Sequence, residues 1–212
     1  MGILQLFGIA EDICKSCGEK FRGSDQGFLC ERCLNSIKPY HPMDYSKRID
    51  FVLSYRIFGL YEGALRDCLL AIKFHNSKGL ALRLGGILKR HLTQYVEELS
   101  PDLITFPALN LRRYWSRGFN HMEYVLKGAG LPHLQVFERK DLSPPLARLK
   151  GRRREKAVMG YSLRKEFIDF LHGKRVLIVD DVLTTGSTLS RLASLLLSVG
   201  VKEVHVYLIA KD

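Results

Sequence analysis

Residues 176–189 restrict the fold more than any other part of this chain. They open with Val-Leu-Ile-Val, an apolar run without alternation, which is typical of a parallel strand covered on both faces. Asp180 and Asp181 follow, and after two more apolar residues the chain reads Thr-Thr-Gly-Ser-Thr. Apolar residues at helical spacing then predict a helix over residues 187–199. The segment therefore predicts a buried strand, a polar turn and a helix, which together form the repeating unit of an α/β fold.

The turn between this strand and this helix suits an anion. A helix N-terminus offers backbone N–H groups and a positive dipole end, and Gly186 allows a ligand to approach the backbone closely. Hydroxyl donors come from Thr184, Thr185, Ser187 and Thr188. The charges of Asp180 and Asp181 would oppose a lone phosphate, so they indicate a ligand with ribose hydroxyls beside its phosphate, together with Mg²⁺. The pattern matches neither the P-loop nor the dinucleotide fingerprint.

Strand and helix patterns alternate through the second half of the chain. We predict strands at residues 102–106, 134–138, 175–180 and 203–209, and a helix at 118–127 between the first two. Upstream, we predict a strand at 51–55 and helices at 63–74 and 80–99. This order predicts a mainly parallel sheet with flanking helices, whose ligands bind in loops at the carboxyl ends of the strands.

Four of the five cysteines form two C-x-x-C pairs, Cys14 with Cys17 and Cys30 with Cys33, separated by twelve residues. Two such pairs suit one tetrahedral Zn²⁺ without an open position, so we expect a structural zinc. An iron–sulfur cluster is the less favoured alternative, because no C-P signature is present. We expect a four-cysteine zinc module over residues 1–42 and an α/β domain over residues 43–212. Cys68 lies in an apolar helical run and is interpreted as a small buried side chain.

The charge of the chain favours anionic partners. Thirty-three Lys and Arg against 22 Asp and Glu give a net charge of +11 at pH 7, which favours nucleic acid, phosphorylated metabolites or anionic lipid. Residues 1–10 do not read as a secretory signal, and the apolar stretch at 192–201 is about half the length of a membrane span. We expect a cytoplasmic protein without a transmembrane segment. Peripheral association with the inner face of the membrane stays open.

Two further sequence segments belong with the cysteine pairs and the loop after Asp181. Residues 65–75 read Leu-Arg-Asp-Cys-Leu-Leu-Ala-Ile-Lys-Phe-His, and residues 107–121 contain Arg-Gly-Phe-Asn at 117–120. With the cysteine pairs and the loop after Asp181, they resemble the ComF family of type I phosphoribosyltransferases over nearly the whole chain and in the expected order. The resemblance implies a type I phosphoribosyltransferase fold behind a zinc module, with a site for 5-phosphoribosyl 1-diphosphate (PRPP) and Mg²⁺.

The same resemblance suggests roles for individual residues. Asp180 and Asp181 would hold the ribose hydroxyls, residues 184–188 the 5-phosphate, and the turn at 107–117 would face the diphosphate. Guanidinium groups suit diphosphate oxygens, and this turn carries three of them, on Arg112, Arg113 and Arg117.

Three other residues near these segments have open interpretations. Lys73, at the end of a predicted helix, is a candidate for the same anion, with a solvated charge as the alternative. Trp115 is interpreted as a packing residue, and His121 as a side chain at the start of a helix.

A basic segment lies between the predicted strands at 134–138 and 175–180. Its cations are Arg148, Lys150, Arg152, Arg153, Arg154 and Lys156. The segment resembles the flexible loop that closes over the reacting centre of phosphoribosyltransferases. It would also suit a nucleic-acid backbone, and a solvated surface is the third interpretation. Leu146 and Ala157 stand where ComF relatives often carry Gln and Asn, a departure consistent with PRPP binding without turnover.

The resemblance implies a role in natural transformation, in which imported single-stranded DNA is processed at the cytoplasmic side of the membrane. Single-stranded DNA and DNA-translocation proteins are therefore the expected macromolecular partners. Two hypotheses stay open. In the first, the protein is a phosphoribosyltransferase of nucleotide metabolism, and an unidentified acceptor attacks C1 of the ribose as diphosphate leaves. In the second, the protein is a catalytically silent module for which PRPP is a regulator or a relic, and its zinc site and basic segment bind single-stranded DNA or a partner protein.

Overall fold

A computed structural model describes residues 11–22, 29–41, 48–74, 77–139 and 160–212. In the N-terminal part, β1 (Glu11–Ile13) pairs antiparallel with β2 (Lys20–Arg22), and a short helix, α1 (Glu31–Asn35), follows Cys30. In chain order the later elements are β3 (Ser54–Leu60), α2 (Gly63–Phe74), α3 (Lys78–Leu99), β4 (Leu103–Thr105), α4 (Leu111–Arg117), α5 (His121–Ala129), β5 (Phe137–Arg139), β6 (Tyr161–Leu163), a 3₁₀ turn (Lys165–Phe167), α6 (Ile168–Leu171), β7 (Arg175–Leu183), α7 (Ser187–Ser198) and β8 (Glu203–Lys211).

A four-stranded parallel sheet lies at the centre, as the sequence predicts. Its strand order is β3-β8-β7-β4, and all neighbouring strands run parallel. Thr105, the last residue of β4, pairs with Ile178 of β7. Strand β7 therefore continues past the end of β4 and carries Asp180 and Asp181 to the carboxyl edge of the sheet.

Helices cover both faces of this sheet. Helices α2, α3 and α5 share one hydrophobic core with Leu177 and Val179 of β7, whereas α7 shares the other core with Val176 and Ile178. All four of these strand residues are fully buried. Successive side chains of a strand point to opposite faces, so both sets must be apolar here, and this explains the run without alternation.

The first of these cores also holds the N-terminal module. Cys14, Cys30 and Cys33 are buried in it together with Leu65 and Leu69 of α2. Ser16 adds a polar link, because its hydroxyl donates a 2.8 Å hydrogen bond to the carboxylate of Asp67 on α2. The module thus packs directly on α2, while the domain division at residue 42 stays a prediction.

Two glycines allow α3 and α5 to cross in close contact. A Cβ atom on Gly85 would lie 2.0 Å from the carbonyl oxygen of Val125, and one on Gly128 would lie 1.9 Å from that of Leu82. Neither position has room for a side chain, since both distances are far inside van der Waals contact. The crossing therefore holds the C-terminal half of α5 against α3.

The helices predicted at 63–74 and 80–99 are confirmed as α2 and α3. Helix α3 begins slightly earlier than predicted, at Lys78, because the Ser77 side chain accepts a hydrogen bond from the Leu80 backbone N–H and caps it. Among the described residues, no helix is long and apolar enough to cross a membrane.

The structure corrects two predicted strands. The strand expected at 134–138 is β5, at Phe137–Arg139, and it pairs antiparallel with β6 outside the central sheet. Its partner comes after residues 140–159, so the pairing depends on long-range contacts that local periodicity does not report. The strand expected at 51–55 begins only at Ser54. Phe51 has a φ of 67°, which is incompatible with an extended strand.

The turn predicted at 107–117 was wrong in part, because it contains helix α4. The Asn110 side chain caps this helix by accepting a 2.9 Å hydrogen bond from the backbone N–H of Arg113. Gly118 ends it with a φ of 75°. No residue of α4 is buried, so the helix has no apolar stripe from which its presence could be read.

Candidate functional site

The two aspartates lie within β7, which corrects the prediction that this strand ends at Asp180. Adjacent strand residues point to opposite faces, and the contacts of the pair differ accordingly. Asp181 contacts side chains of α2 and α5. Tyr161 lies within electrostatic range of Asp180, and Arg113 lies within range of both carboxylates. The Asp180 carboxylate also accepts a 2.8 Å hydrogen bond from the backbone N–H of Asp181.

Asp181 is the centre of the site. Its Oδ2 atom lies 2.8 Å from the Lys73 ammonium and 2.7 Å from Nε2 of His121. Burial by itself would raise the pKa of Asp181, but the Lys73 charge and the His121 hydrogen bond outweigh it and lower that pKa below its ordinary value. Asp181 is therefore ionised at neutral pH. Lys73 is thus an ion-pair partner at this edge, and its side chain is only 22% exposed.

His121 connects Asp181 to Arg117. It is the first residue of α5, as predicted, and it is buried. Its Nδ1 atom lies 3.0 Å from Nη1 of Arg117. Burial is the main cause that lowers the pKa of His121. A guanidinium can only donate hydrogen bonds, so Nδ1 must accept, and the neutral ring carries its proton on Nε2, towards Asp181.

Asp180 has the opposite protonation tendency. Burial, followed by the neighbouring charge of Asp181, raises the pKa of Asp180 to about 7. Near pH 7 Asp180 is therefore about half protonated, whereas Asp181 is ionised. A cation or a set of hydroxyl donors that arrives beside Asp180 would favour its ionised form.

The loop after β7 presents its polar groups outward. Thr184 and Thr185 are exposed, and Gly186 has a φ of 78° directly before α7. The hydroxyls of Thr185 and Ser187 lie 3.0 Å apart. Ile49 packs beneath the loop, 3.6 Å from where a Cβ of Gly186 would be. Helix α7 is 12 residues long, so its N-terminus carries a full dipole next to these hydroxyls.

The arginines of α4 divide into two groups. Arg113 and Arg117 are half-buried near the aspartates, whereas Arg112 is exposed. Burial first, and then the neighbouring charge of Arg139, lowers the pKa of Arg113. For Arg117 the causes of a lowered pKa are burial and then the charge of Arg113. Guanidiniums grouped in this way have the charge and the donors that can bind a multivalent anion.

Two residues of this site were missed by the sequence analysis. Arg139 of β5 is buried, and its guanidinium stacks 4.8 Å from the ring centroid of Tyr161 on β6. Their hydrogen-bonding atoms are 3.4 Å apart. No motif marks either residue, because the antiparallel pairing of β5 with β6 alone brings them together.

The prediction for Trp115 was wrong. Its side chain is 75% exposed, and Tyr114 beside it is 51% exposed. Both belong to α4, a helix that buries none of its residues. The basic residues Arg148, Lys150, Arg152, Arg153, Arg154 and Lys156, with Leu146 and Ala157, lie outside the described residues.

The four paired cysteines converge as predicted. The sulfurs of Cys14, Cys17, Cys30 and Cys33 all lie within 4.8 Å of one another. Sulfurs bound about 2.3 Å from one tetrahedral Zn²⁺ are about 3.8 Å apart, and the Cys17 and Cys30 sulfurs are 3.8 Å apart. Although burial opposes it, hydrogen bonds from backbone N–H groups lower the pKa of Cys14 to about 6, while burial and the neighbouring cysteines raise that of Cys33 to about 12, so the fit to a metal rests on the arrangement of the four sulfurs. The donor set therefore fits a thiolate-bound metal ion, while Cys68 is fully buried in α2 as expected.

Comparisons with known proteins agree with this geometry. A family model described as a phosphoribosyl transferase domain matches residues 145–212. Competence protein ComFC of Streptococcus pneumoniae is 27% identical over 166 residues, covering 73% of this chain and 67% of that protein. Competence protein F of Haemophilus influenzae is 25% identical over 217 residues, covering 94% and 90%. The DNA utilization protein YhgH of Escherichia coli is 27% identical over 207 residues, covering 94% and 84%.

The chain is a ComF-like protein of the phosphoribosyltransferase fold. The region that matches the family model includes the aspartate pair, the hydroxyl-rich loop after β7 and helix α7. A solved structure of the allosteric regulatory enzyme of purine biosynthesis overlaps 63% of this chain, with a TM-score of 0.37 and 21% identity, and the chain spans 25% of that enzyme. The fold assignment rests on the family model and on the parallel sheet.

Proposed function

We propose that this protein binds PRPP at the carboxyl end of β7. One observation carries the proposal: a carboxylate pair on a buried strand leads directly into an exposed, hydroxyl-rich helix N-terminus. Asp180 and Asp181 would accept hydrogen bonds from the ribose hydroxyls, and residues 184–188 would hold the 5-phosphate. Arg113 and Arg117 would face the diphosphate, with the exposed Arg112 at the rim.

Mg²⁺ belongs to this proposal because carboxylate oxygens are its preferred protein ligands. Asp180 and Asp181 are the residues that would hold the ion, and Asp181 uses Oδ2 for both of its side-chain contacts, which leaves Oδ1 for a ligand. When bound, the ion would neutralise part of the diphosphate charge. The cysteine cluster would hold a structural Zn²⁺, since four protein sulfurs complete a tetrahedral shell.

Calorimetric titration with PRPP and Mg²⁺ tests the site. Asp180→Asn combined with Asp181→Asn should abolish PRPP binding and leave the circular dichroism spectrum folded. Asp169→Asn is the matched control, because Asp169 is exposed on α6, away from the carboxyl edge of β7. A folded double variant that keeps the wild-type affinity would refute the site.

The relatives named as competence and DNA utilization proteins support a role in DNA uptake. We therefore propose that the protein acts on the cytoplasmic side of the membrane, together with DNA-translocation proteins. Whether PRPP is a substrate is decided by measuring diphosphate release over a panel of bases, nucleotides and DNA ends. No release with any acceptor, despite measurable PRPP binding, would reject the enzyme and leave a PRPP-regulated module.

Helix α4 supplies an observation in favour of single-stranded DNA as a partner. Arg112 and Trp115 are three residues apart on α4, so their exposed side chains share one side of the helix, and Tyr114 is exposed as well. Aromatic rings next to cations are the usual platform for single-stranded nucleic acid, because bases stack on the rings and phosphates pair with the cations. The basic segment at 148–156 is a second candidate for phosphate contacts, on its charge alone.

Fluorescence anisotropy with a labelled oligonucleotide tests the partner. Trp115→Ala should weaken binding about tenfold, since one stacked base contributes about 1–3 kcal/mol. Phe170→Ala is the matched control, as Phe170 is also an exposed ring (47%) beside a lysine but lies on α6. Replacing Arg152, Arg153 and Arg154 by Ala should reduce the salt dependence of binding. Unchanged affinity and an unchanged salt slope would exclude this surface.

A further inference from the structure

His121 lies between two parts of the proposed site that bind different ends of the ligand. Its Nε2 contacts Asp181 at 2.7 Å, on the side assigned to the ribose. Its Nδ1 contacts Arg117 at 3.0 Å, on the side assigned to the diphosphate. The imidazole is a rigid ring, so these two contacts fix the distance between the carboxylate and the guanidinium.

The ring itself has little freedom to move. It is 5% exposed and stands at the first position of α5. The preceding residue, Asn120, fixes this position twice. Its Oδ1 accepts a 3.1 Å hydrogen bond from the Met122 backbone N–H, and its Nδ2 donates a 2.8 Å hydrogen bond to the Pro107 carbonyl in the loop after β4. The close crossing of α3 and α5 at Gly128 holds the same helix from its other end.

A role for His121 as a general base does not fit these contacts. The Arg117 guanidinium faces the only nitrogen that could accept a proton, and Nε2 directs its own proton to Asp181. Both nitrogens are engaged, and neither faces a free position for an acceptor. The geometry suits orientation of neighbouring groups and not proton transfer.

We propose that His121 is a positioning residue that holds Arg117 at a fixed distance from Asp181, so that the diphosphate side and the ribose side of the site are arranged before PRPP binds. The proposal rests on the proposed PRPP site and adds a residue that touches no part of the ligand. Groups arranged in advance lose less conformational entropy on binding, which increases affinity for a ligand that bridges both of them.

Two conservative variants separate the two contacts. His121→Gln brings an amide to the place of Nε2, which keeps a donor for Asp181 and removes the acceptor for Arg117. His121→Asn brings an amide to the place of Nδ1, which keeps the acceptor for Arg117 and removes the donor for Asp181. A variant that only disturbed the start of α5 would weaken every ligand alike.

Affinities for two ligands provide the readout. PRPP bridges both sides, whereas ribose 5-phosphate lacks the diphosphate. His121→Gln should raise the Kd for PRPP about tenfold, the loss expected for a hydrogen bond to a charged group, and change the Kd for ribose 5-phosphate less than about twofold. His121→Asn should weaken both ligands similarly. In an Arg117→Ala background, His121→Gln should have little further effect on PRPP.

The outcomes distinguish the two proposals. If the wild-type protein does not bind PRPP, the proposed function fails. If it binds PRPP but His121→Gln weakens PRPP and ribose 5-phosphate equally, or neither, the positioning role fails. Nitrogen NMR of the labelled histidines in the wild-type protein adds a test that needs no folded variant. A proton on Nδ1 of His121 at neutral pH would overturn the proposed contact with Arg117.

Discussion

Replacing Asp180 by Asn should make the protein more stable at alkaline pH, although the residue lies in the proposed binding site. Burial, and next the charge of Asp181, raises the pKa of the folded Asp180 carboxyl group from 3.8 to about 7. An acid with a raised folded pKa favours folding in its protonated form. The folded state must then ionise this half-buried group as the pH rises, and the free energy of unfolding falls between the two pKa values.

The size of the effect follows from the shift. A change of about three pKa units at about 1.4 kcal/mol each gives a ceiling of about 4 kcal/mol above pH 7. Asp180 is partly exposed, and solvent screening reduces this to about 2 kcal/mol. Asn keeps the shape and an oxygen that can accept the 2.8 Å hydrogen bond from the Asp181 N–H. The gain should therefore be about 2 kcal/mol at about pH 8 and less than half of that at about pH 5.

Urea unfolding followed by circular dichroism measures this gain, with zinc and ionic strength held constant. Asp181→Asn is the control of opposite sign. In the wild-type protein the pKa of the folded Asp181 carboxyl group is depressed, because Lys73 and His121 outweigh the effect of burial. The stabilisation from this carboxylate is therefore present above the unfolded pKa near 4, and it is lost only as the pH falls through the folded value. Asp181→Asn should cost about 3 kcal/mol at both pH values, since it leaves the Lys73 charge without its partner.

The pH dependence of the Asp180→Asn gain is the decisive result. Equal gains at about pH 5 and about pH 8 would show that the effect does not come from ionisation. A loss of stability at about pH 8 would refute the raised pKa of Asp180, and with it the view that this carboxyl group is kept in an unfavourable state for ligand binding.

Three further predictions, which use four substitutions, concern the packing and the metal cluster. Gly128→Ala should lower the free energy of unfolding by about 1–3 kcal/mol, because its Cβ would overlap the Leu82 carbonyl. Gly79→Ala is the control: it lies in open space on α3, so it should be neutral or stabilising by up to about 1 kcal/mol. Metal analysis of the purified protein should give one zinc per chain, and Cys33→Ser should remove it; equal zinc in both would exclude the cluster. Ser16→Ala should retain zinc but cost about 1 kcal/mol of stability, through loss of its hydrogen bond to Asp67 on α2.

Much of the fold could be predicted because its signals are local. Helix α2 matches its predicted bounds, and α3 differs from them by two residues, since both have a clear apolar stripe. Helix α4 was missed because it buries no residue, and strand β6 was missed because its partner β5 lies on the other side of residues 140–159. Elements without a buried face, or with a distant partner, leave no periodic pattern in the sequence.

The sequence by itself determined which residues bear the chemistry: the aspartate pair, the hydroxyl loop and the paired cysteines all follow from residue types at fixed spacing. Only the tertiary structure decided how the aspartates differ. One strand residue apart, Asp181 faces Lys73 and His121 and stays ionised, while the pKa of Asp180 rises to about 7. Charge state depends on burial and on neighbours from distant segments, and these are set only when α2, α5 and β7 pack together.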